Sequence, residues 1–350
     1  MNALVPIVGR SDWHALAAHE IRALPVLVIF PHNQCNCRCV MCDIWRIREA
    51  RQISPEDLEP LLFPLRELGV RWVVFSGGEP QLNAKWYFLA QMLRSIGCRI
   101  TLLTAGLLLK PQAELVTEHI DDVIVSLDGA PPVHNSIRRI PDAFEQMVDG
   151  IRALRQFRPA IPVRARCTVQ RSNRHSLHSV LESARAIGLT SISFLAADLT
   201  STAFNRPELW PRDRMERVVL TPQEVDELEA EIEQLISEHR ADFKSGFIVE
   251  TPDKLRRIVH HFRGHLGQIE NVAPRCNAPW VSAVIEASGD VRPCFFHPVL
   301  GNIREQSLPE IVNGANALRF RSTLNVAQDK TCKRCVCSLY LETHDRFEQK

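Results

Sequence analysis

The stretch PVLVIFPHNQCNCRCVMC, residues 25–42, decides the fold. Pro25 to His32 is a short apolar run with the length and composition of a buried strand. Directly after it come Cys35, Cys37, Cys39 and Cys42, so a thiol-rich loop hangs from the end of that strand. RWVVFSGGEP, residues 71–80, repeats the layout, with a strand from Arg71 to Phe75 running into Ser76-Gly77-Gly78-Glu79-Pro80. Between the two, Ser54 and Pro55 have the chemistry of an N-cap and a first helical position. Leu58, Leu61, Leu62, Leu65 and Leu68 then recur at helical spacing, and Gly69 ends the helix.

The alternation continues outward. Strands are expected at 99–104, 122–127, 162–169 and 190–196, and helices at 85–96, 111–119, 142–156 and 175–187. Six strand–helix repeats predict an α/β fold whose parallel strands are joined by crossover helices, as an open sheet or a barrel. Functional loops of such folds lie at the C-terminal ends of the strands. That puts the cysteine loop and the Gly-Gly-Glu-Pro loop on one face. Residues 198–275 are more polar, and Thr221-Pro222-Gln223-Glu224 is a capping box opening a helix to about residue 238. From Cys276 on, Val281–Glu286 and Val291–Phe296 read as a hairpin around Gly289-Asp290, followed by short helices and a second thiol cluster. The chain divides into an N-terminal extension (1–24), a core (25–197), a helical linker region (198–275) and a small cysteine-rich hairpin and helix domain (276–350).

Composition narrows the function. The 350 residues carry 42 Lys and Arg against 41 Asp and Glu, a net charge of +1, which gives no electrostatic reason to expect nucleic acid or an anionic membrane surface. The longest apolar run, Leu24 to Pro31, is far short of the roughly 20 residues needed to span a bilayer. Without a signal-peptide h-region near Arg10, Asp12 and Glu20, a cytoplasmic location is expected. There are 11 cysteines, an odd count concentrated in two clusters, and in a reducing compartment that points to metal rather than disulfides. Thiolates favour zinc or iron–sulfur clusters.

Cys35, Cys39 and Cys42 have the spacing C-x3-C-x2-C. Three thiolates can hold three irons of a [4Fe–4S] cluster and leave the fourth iron open for a ligand. A zinc knot using Cys37 as fourth ligand is the alternative. The spacing after the first strand, together with Phe75-Ser76-Gly77-Gly78-Glu79-Pro80 after the second, resembles the radical S-adenosylmethionine (radical SAM) superfamily over about residues 25–197. The resemblance implies a partial (β/α)6 TIM-type barrel and a cluster whose open iron binds the amino and carboxylate groups of SAM. It also implies a flavodoxin- or ferredoxin-type reductant. Reductive cleavage of SAM would give a 5′-deoxyadenosyl radical that abstracts hydrogen from substrate, the cofactors carrying the difficult chemistry.

Carried over by motif, Cys35, Cys39 and Cys42 are the cluster ligands and Met41 lies near the adenine. Ser76, Gly77, Gly78 and Glu79 match the segment that meets the methionine amino group; glycines allow close backbone approach and a carboxylate suits an ammonium. Ser126 and Asp128 end the fourth strand on one face, where they either meet ribose or substrate or cap the strand. Arg164, Arg166 and Thr168 share a face of the fifth strand, making Arg166 a candidate for the SAM carboxylate or for an ordinary ion pair. Cys98 and Cys167 read as buried structural thiols.

The second cluster comprises Cys276, Cys294 five residues after Gly289, and Cys332-x2-Cys335-x-Cys337. Four converging thiolates can close a zinc site or a complete [4Fe–4S] cluster. Beside a radical SAM core, the pattern resembles the SPASM/Twitch extension, and with five cysteines its one-cluster Twitch form. The implied ligands of this second, auxiliary [4Fe–4S] cluster are Cys276, Cys294, Cys332 and Cys335, with Cys337 as substitute for Cys335. Phe295, Phe296 and His297 follow Cys294 and either pack the hairpin or touch substrate.

An auxiliary cluster suits a reaction whose substrate radical must lose an electron, such as oxidation of an alcohol carbon. Twitch-bearing relatives include a dehydrogenase of aminoglycoside biosynthesis and the enzyme making the first molybdopterin intermediate. The latter usually ends in Gly-Gly, whereas this chain ends Phe347-Glu348-Gln349-Lys350. About 25 residues precede the first strand, too few for the peptide-recognition domain of many peptide-modifying relatives. The expected substrate is therefore a small polar molecule, a sugar or cyclitol. A peptide-modifying enzyme and a non-catalytic zinc or iron–sulfur binding protein are the alternatives.

Overall fold

The computed structural model describes residues 19–206 and 210–342. Most of the N-terminal extension and the Phe347–Lys350 tail lie outside them. Six parallel strands come first in the chain: β1 Val26–His32, β2 Trp72–Gly77, β3 Arg99–Thr104, β4 Asp122–Ser126, β5 Val163–Val169 and β6 Ile192–Ala196. Each lies beside the next in sequence, with helices packed outside, so the core is the α/β partial barrel that the resemblance implies, one of the two forms the strand–helix alternation leaves open.

Period-two alternation divides each strand between two environments. On β5, Val163, Ala165, Cys167 and Val169 are buried under the helices, while Arg164, Arg166 and Thr168 are half-exposed on the other face. Leu27, Ile29, Val73, Phe75, Ile100, Leu102, Val123 and Val125 join the same outer apolar layer. Cys98 and Cys167 belong to it too; Cys98 Sγ is 3.5 Å from the Val70 carbonyl and Cys167 Sγ 3.6 Å from Asn173 Nδ2.

The structure departs from the sequence reading at several elements. The helix expected over 55–68 is broken into Pro55–Leu58, a 3-10 turn Glu59–Leu61 and Leu62–Glu67, because Pro60 and Pro64 lack the amide hydrogens an uninterrupted helix needs. A helix not foreseen, Pro131–Arg138, follows β4 and ends at Arg139 in the left-handed conformation. The polar region 198–275 holds a second long helix, Pro252–His265, beside Pro222–Glu238.

The C-terminal hairpin is shorter than expected and joins the main sheet. β7, Ser282–Ile285, pairs parallel with β1, and β8 (Asp290–Arg292) and β9 (Gly301–Asn302) continue antiparallel, giving the order β6-β5-β4-β3-β2-β1-β7-β8-β9. Cys294 therefore lies in the turn after β8 rather than on a strand. Gly289 makes the hairpin turn at φ +88°, where an added Cβ would come within 2.6 Å of Asn302 Oδ1.

Candidate active site

The cysteine loop is fixed from three directions. The Arg38 and Val40 amides donate to the carbonyls of Arg138 and Ile137 at 3.1 and 3.0 Å, so the unforeseen helix is the loop's outer wall. The Glu79 amide donates to the Gln34 carbonyl at 2.8 Å, and the Gly78 amide to the His32 carbonyl at 3.3 Å. A Cβ on Gly78 would sit 2.0 Å from the Gln34 oxygen, and one on Gly77, at φ +102°, 2.6 Å from the Phe30 ring. The two glycines thus bring the β2 loop into contact with the cysteine loop. From below, buried Asp43 accepts bonds from Trp210 and Arg214, and its amide donates to the Phe204 carbonyl at 3.3 Å.

Cys35, Cys39 and Cys42 line one cavity of about 220 Å³ together with Met41, Ser76, Gly77, Gly78, Ser126 and Arg166. Every barrel strand from β2 to β6 contributes an inward residue there: Ser76, Leu103, Ser126, Arg166 with Thr168, and Leu195. Arg166 Nε donates to Ser193 Oγ at 3.3 Å.

Glu79 and Asp128 do not line this cavity. Glu79 is fully buried, accepting from Thr104 Oγ1 and the Ala105 amide at 2.9 Å each, and burial pushes its carboxyl up to about 7. Asp128 accepts from the Thr168 amide at 3.0 Å and pairs with Arg138 at 2.6 Å. Both carboxylates hold neighbouring backbone in place. Cys37, also turned away from the cavity, is 2% exposed. Hydrogen bonding with Cys35 and Cys39 drives its thiol strongly upward, while the bond from Cys37, then Arg138, draws Cys39 down against burial.

Sequence reasoning missed Arg138. Its guanidinium lies 3.5 Å from Cys39 Sγ, nearly excluded from solvent, and burial disfavours its charge while Asp128 and the thiols more than restore it. The available signal was Pro131-Pro132 after Asp128-Gly129, a helix start with proline in its first turn.

The second thiol cluster assembles at the end of the added sheet. The Asn277 amide donates to the Leu339 carbonyl at 2.9 Å and its side chain bonds both backbone groups of Leu341, tying the C-terminal loop beside Cys276. Cys294, Cys332 and Cys335 are all pushed upward, first by burial; for Cys332 the Asp329 carboxylate comes next, and neighbouring thiols that include Cys276 add to all three. Cys337 faces the central cavity, and Cys335 a separate cavity of about 340 Å³ on the far side of Leu195 and Val336.

The spacing of the thiols bears on the metal. A tetrahedral zinc ion with Zn–S bonds of ~2.3 Å holds its sulfurs ~3.8 Å apart. Among the described residues, neither cysteine cluster offers three sulfurs within 4.8 Å of one another. The compact group at the second cluster is mixed, His297, Asp329 and Cys332, whereas an all-thiol donor set such as the cysteines offer is the one iron–sulfur clusters take.

A larger cleft of about 450 Å³ opens outward from the central cavity, the two sharing Ile44, Gly77, Gly78, Phe204, Phe295 and Phe296. Phe30 stacks on Phe295 at 6.0 Å and Phe204 meets Phe296 edge-on at 6.3 Å, while Arg51 and Arg292 stand among the lining residues. The hairpin phenylalanines therefore face the cleft.

Comparison with known proteins matches residues 29–171 to the radical SAM superfamily and residues 276–336 to the SPASM iron–sulfur cluster-binding domain. An AdoMet-dependent heme synthase of Methanosarcina barkeri is 25% identical over 331 residues, 90% of this chain and 92% of that protein. An Fe-coproporphyrin III synthase of the same organism is 23% identical, covering 89% and 80%. Among solved structures, SuiB of Streptococcus suis bound to its precursor peptide SuiA shares the fold, with a TM-score of 0.65 at 15% identity over 95% of this chain and 75% of that one.

Proposed function

This chain is a radical SAM protein with a C-terminal SPASM domain, and from that premise we propose that it abstracts hydrogen from a flat, largely apolar substrate bearing carboxylates, of the tetrapyrrole class. The two domains imply a [4Fe–4S] cluster with SAM and auxiliary iron–sulfur chemistry, and both thiol sets offer the donor type that such clusters take. Once bound, these groups supply the 5′-deoxyadenosyl radical and an acceptor for the electron the substrate radical gives up.

The protein's own residues define the rest. Cys35, Cys39 and Cys42 would hold the first cluster; Cys276, Cys294, Cys332 and Cys335 would hold the second. Met41, Ser76, Gly77, Gly78, Ser126 and Arg166 line the cavity that SAM would fill, Arg166 being the cation for its carboxylate. Glu79, Asp128 and Arg138 act behind it as positioning residues.

The observation that carries the substrate reading is the cleft with Phe30, Phe204, Phe295 and Phe296 along it, opening straight into the central cavity. Aromatic faces are suited to a ring plane, and Arg51 and Arg292, now paired with Glu49 and Glu286, can exchange those partners for substrate carboxylates. The relationship to the heme synthase over nearly the whole of both chains supports the same class. The sugar or cyclitol expected from the sequence has no ring plane to offer these aromatic side chains. The peptide alternative has only the shared fold behind it.

The test is anaerobic. The reconstituted protein is mixed with dithionite and SAM, with and without an iron porphyrin carrying propionate groups, and 5′-deoxyadenosine is measured with the porphyrin absorption band. Porphyrin-dependent release with a shifted band supports the reading. Stimulation by a cyclitol or peptide, with no porphyrin binding, overturns it.

A further inference from the structure

His297 joins the two halves of the C-terminal thiol set. Its ring is buried, at 6% exposure, with Nε2 3.3 Å from Cys332 Sγ. Its amide bonds the Cys294 thiol, and its carbonyl accepts from Arg292 Nη1 at 3.0 Å, so the backbone is held in the hairpin turn. The ring plane is set edge-on to Phe320 at 4.9 Å. Asp329 Oδ1 accepts the Cys332 amide at 2.8 Å and lies 3.9 Å from the same Nε2, so the nitrogen, the carboxylate and the thiol form one compact group. Turn and ring contact hold Nε2 directed at that corner, with the Cys332 sulfur its nearer neighbour.

We propose that His297 is a positioning residue that donates a hydrogen bond from Nε2 to the Cys332 thiolate and thereby raises the reduction potential of the auxiliary cluster. A cluster gains negative charge on its sulfurs when it accepts an electron, and a fixed N–H donor stabilises that charge more in the reduced state than in the oxidised one. Outer partners of this kind set both the orientation of a ligand and the properties of its metal. The consequence falls on the electron-accepting step: a higher potential makes removal of the electron from the substrate radical more favourable. The inference rests on Cys332 being a cluster ligand and is independent of which substrate is bound.

The experiment is a redox titration of the reconstituted full-length protein without substrate, each cluster followed by its electron paramagnetic resonance signal. His297→Ala is expected to retain ~8 irons per chain. Its auxiliary potential should fall by the equivalent of about tenfold in the one-electron equilibrium constant, ~59 mV. The SAM-site cluster should not move. His297→Gln, which keeps an N–H donor, is expected to recover part of the shift, which a merely structural role would not do. An unchanged auxiliary potential in His297→Ala overturns the inference, as does loss of auxiliary iron, which would make the histidine a ligand or a folding element. Cys332→Ala separates the two levels. It should lose the auxiliary signal, and if that signal persists, the ligand reading beneath the inference fails.

Discussion

The guanidinium of Arg138 lies 3.5 Å from the sulfur of Cys39, although 99 residues separate them in sequence. It is held there by Asp128, whose carboxylate is itself fixed by the Thr168 amide, so three barrel segments fix the environment of one thiolate. The positive charge offsets the cost of concentrating thiolates in a buried loop.

Removing that charge should cost both stability and iron. Arg138→Met leaves Asp128 buried without its cation, which should destabilise the fold by about 3–5 kcal/mol, read by chemical denaturation. Arg138→Met with Asp128→Asn removes both charges and should recover most of the loss. If the single variant is as stable as the parent, the pair is not what holds this wall together.

Cys37 is expected to be dispensable for the metal. Cys37→Ser should keep the full iron content and cleave SAM, whereas Cys39→Ser should lose about four irons and all cleavage. Loss of iron in Cys37→Ser would return the zinc-knot ligand set to consideration.

Gly78→Ala tests the contact between the two loops. The added methyl meets the Gln34 carbonyl at 2.0 Å, a backbone atom that cannot swing aside. Displacement of the cysteine loop should lower SAM cleavage by at least tenfold, about 1.4 kcal/mol in barrier terms, measured as 5′-deoxyadenosine formed. Retained activity would mean that the loops separate easily.

A pH effect follows from Glu79. Burial raises its folded-state value from 4.5 to about 7, so the fold prefers the neutral carboxyl. Its favourable contribution is complete below the unfolded value and disappears as pH rises through the folded one. Between about pH 5.5 and 7 the parent should lose roughly 2 kcal/mol relative to Glu79→Gln, at 1.36 kcal/mol per unit. Denaturation of both proteins across that range is the check, and parallel curves would dismiss the effect.

Phe295→Ala tests the cleft. It should raise KM for the porphyrin at least tenfold and lower substrate-free SAM cleavage by much less, since the ring borders both the cleft and the central cavity. Equal loss in both assays would place the ring's effect on the SAM site.

Much of this was legible in the sequence because the signals were local. Apolar runs bounded by polar loops located the six barrel strands, and the alternation on β5 predicted which side of Arg166 is buried. Elements that depend on distant partners were not legible. Nothing in the SAVI segment, Ser282–Ile285, says that its neighbour is β1, more than 250 residues earlier. Glu79 illustrates the same limit within a site. Its motif suggests an ammonium partner, yet the folded carboxylate is taken up by Thr104 and Ala105 of the next strand. Arg138 was hidden because a short helix begun by two prolines carries little periodic signal.

The pairing of β7 with β1 has a mechanical consequence. One strand delivers the first thiol loop and its immediate neighbour leads to the second, so both anchor points belong to one hydrogen-bonded ladder. Widening at the far end of the strand order, towards β6, would leave that ladder intact, and with it the separation of the two thiol loops.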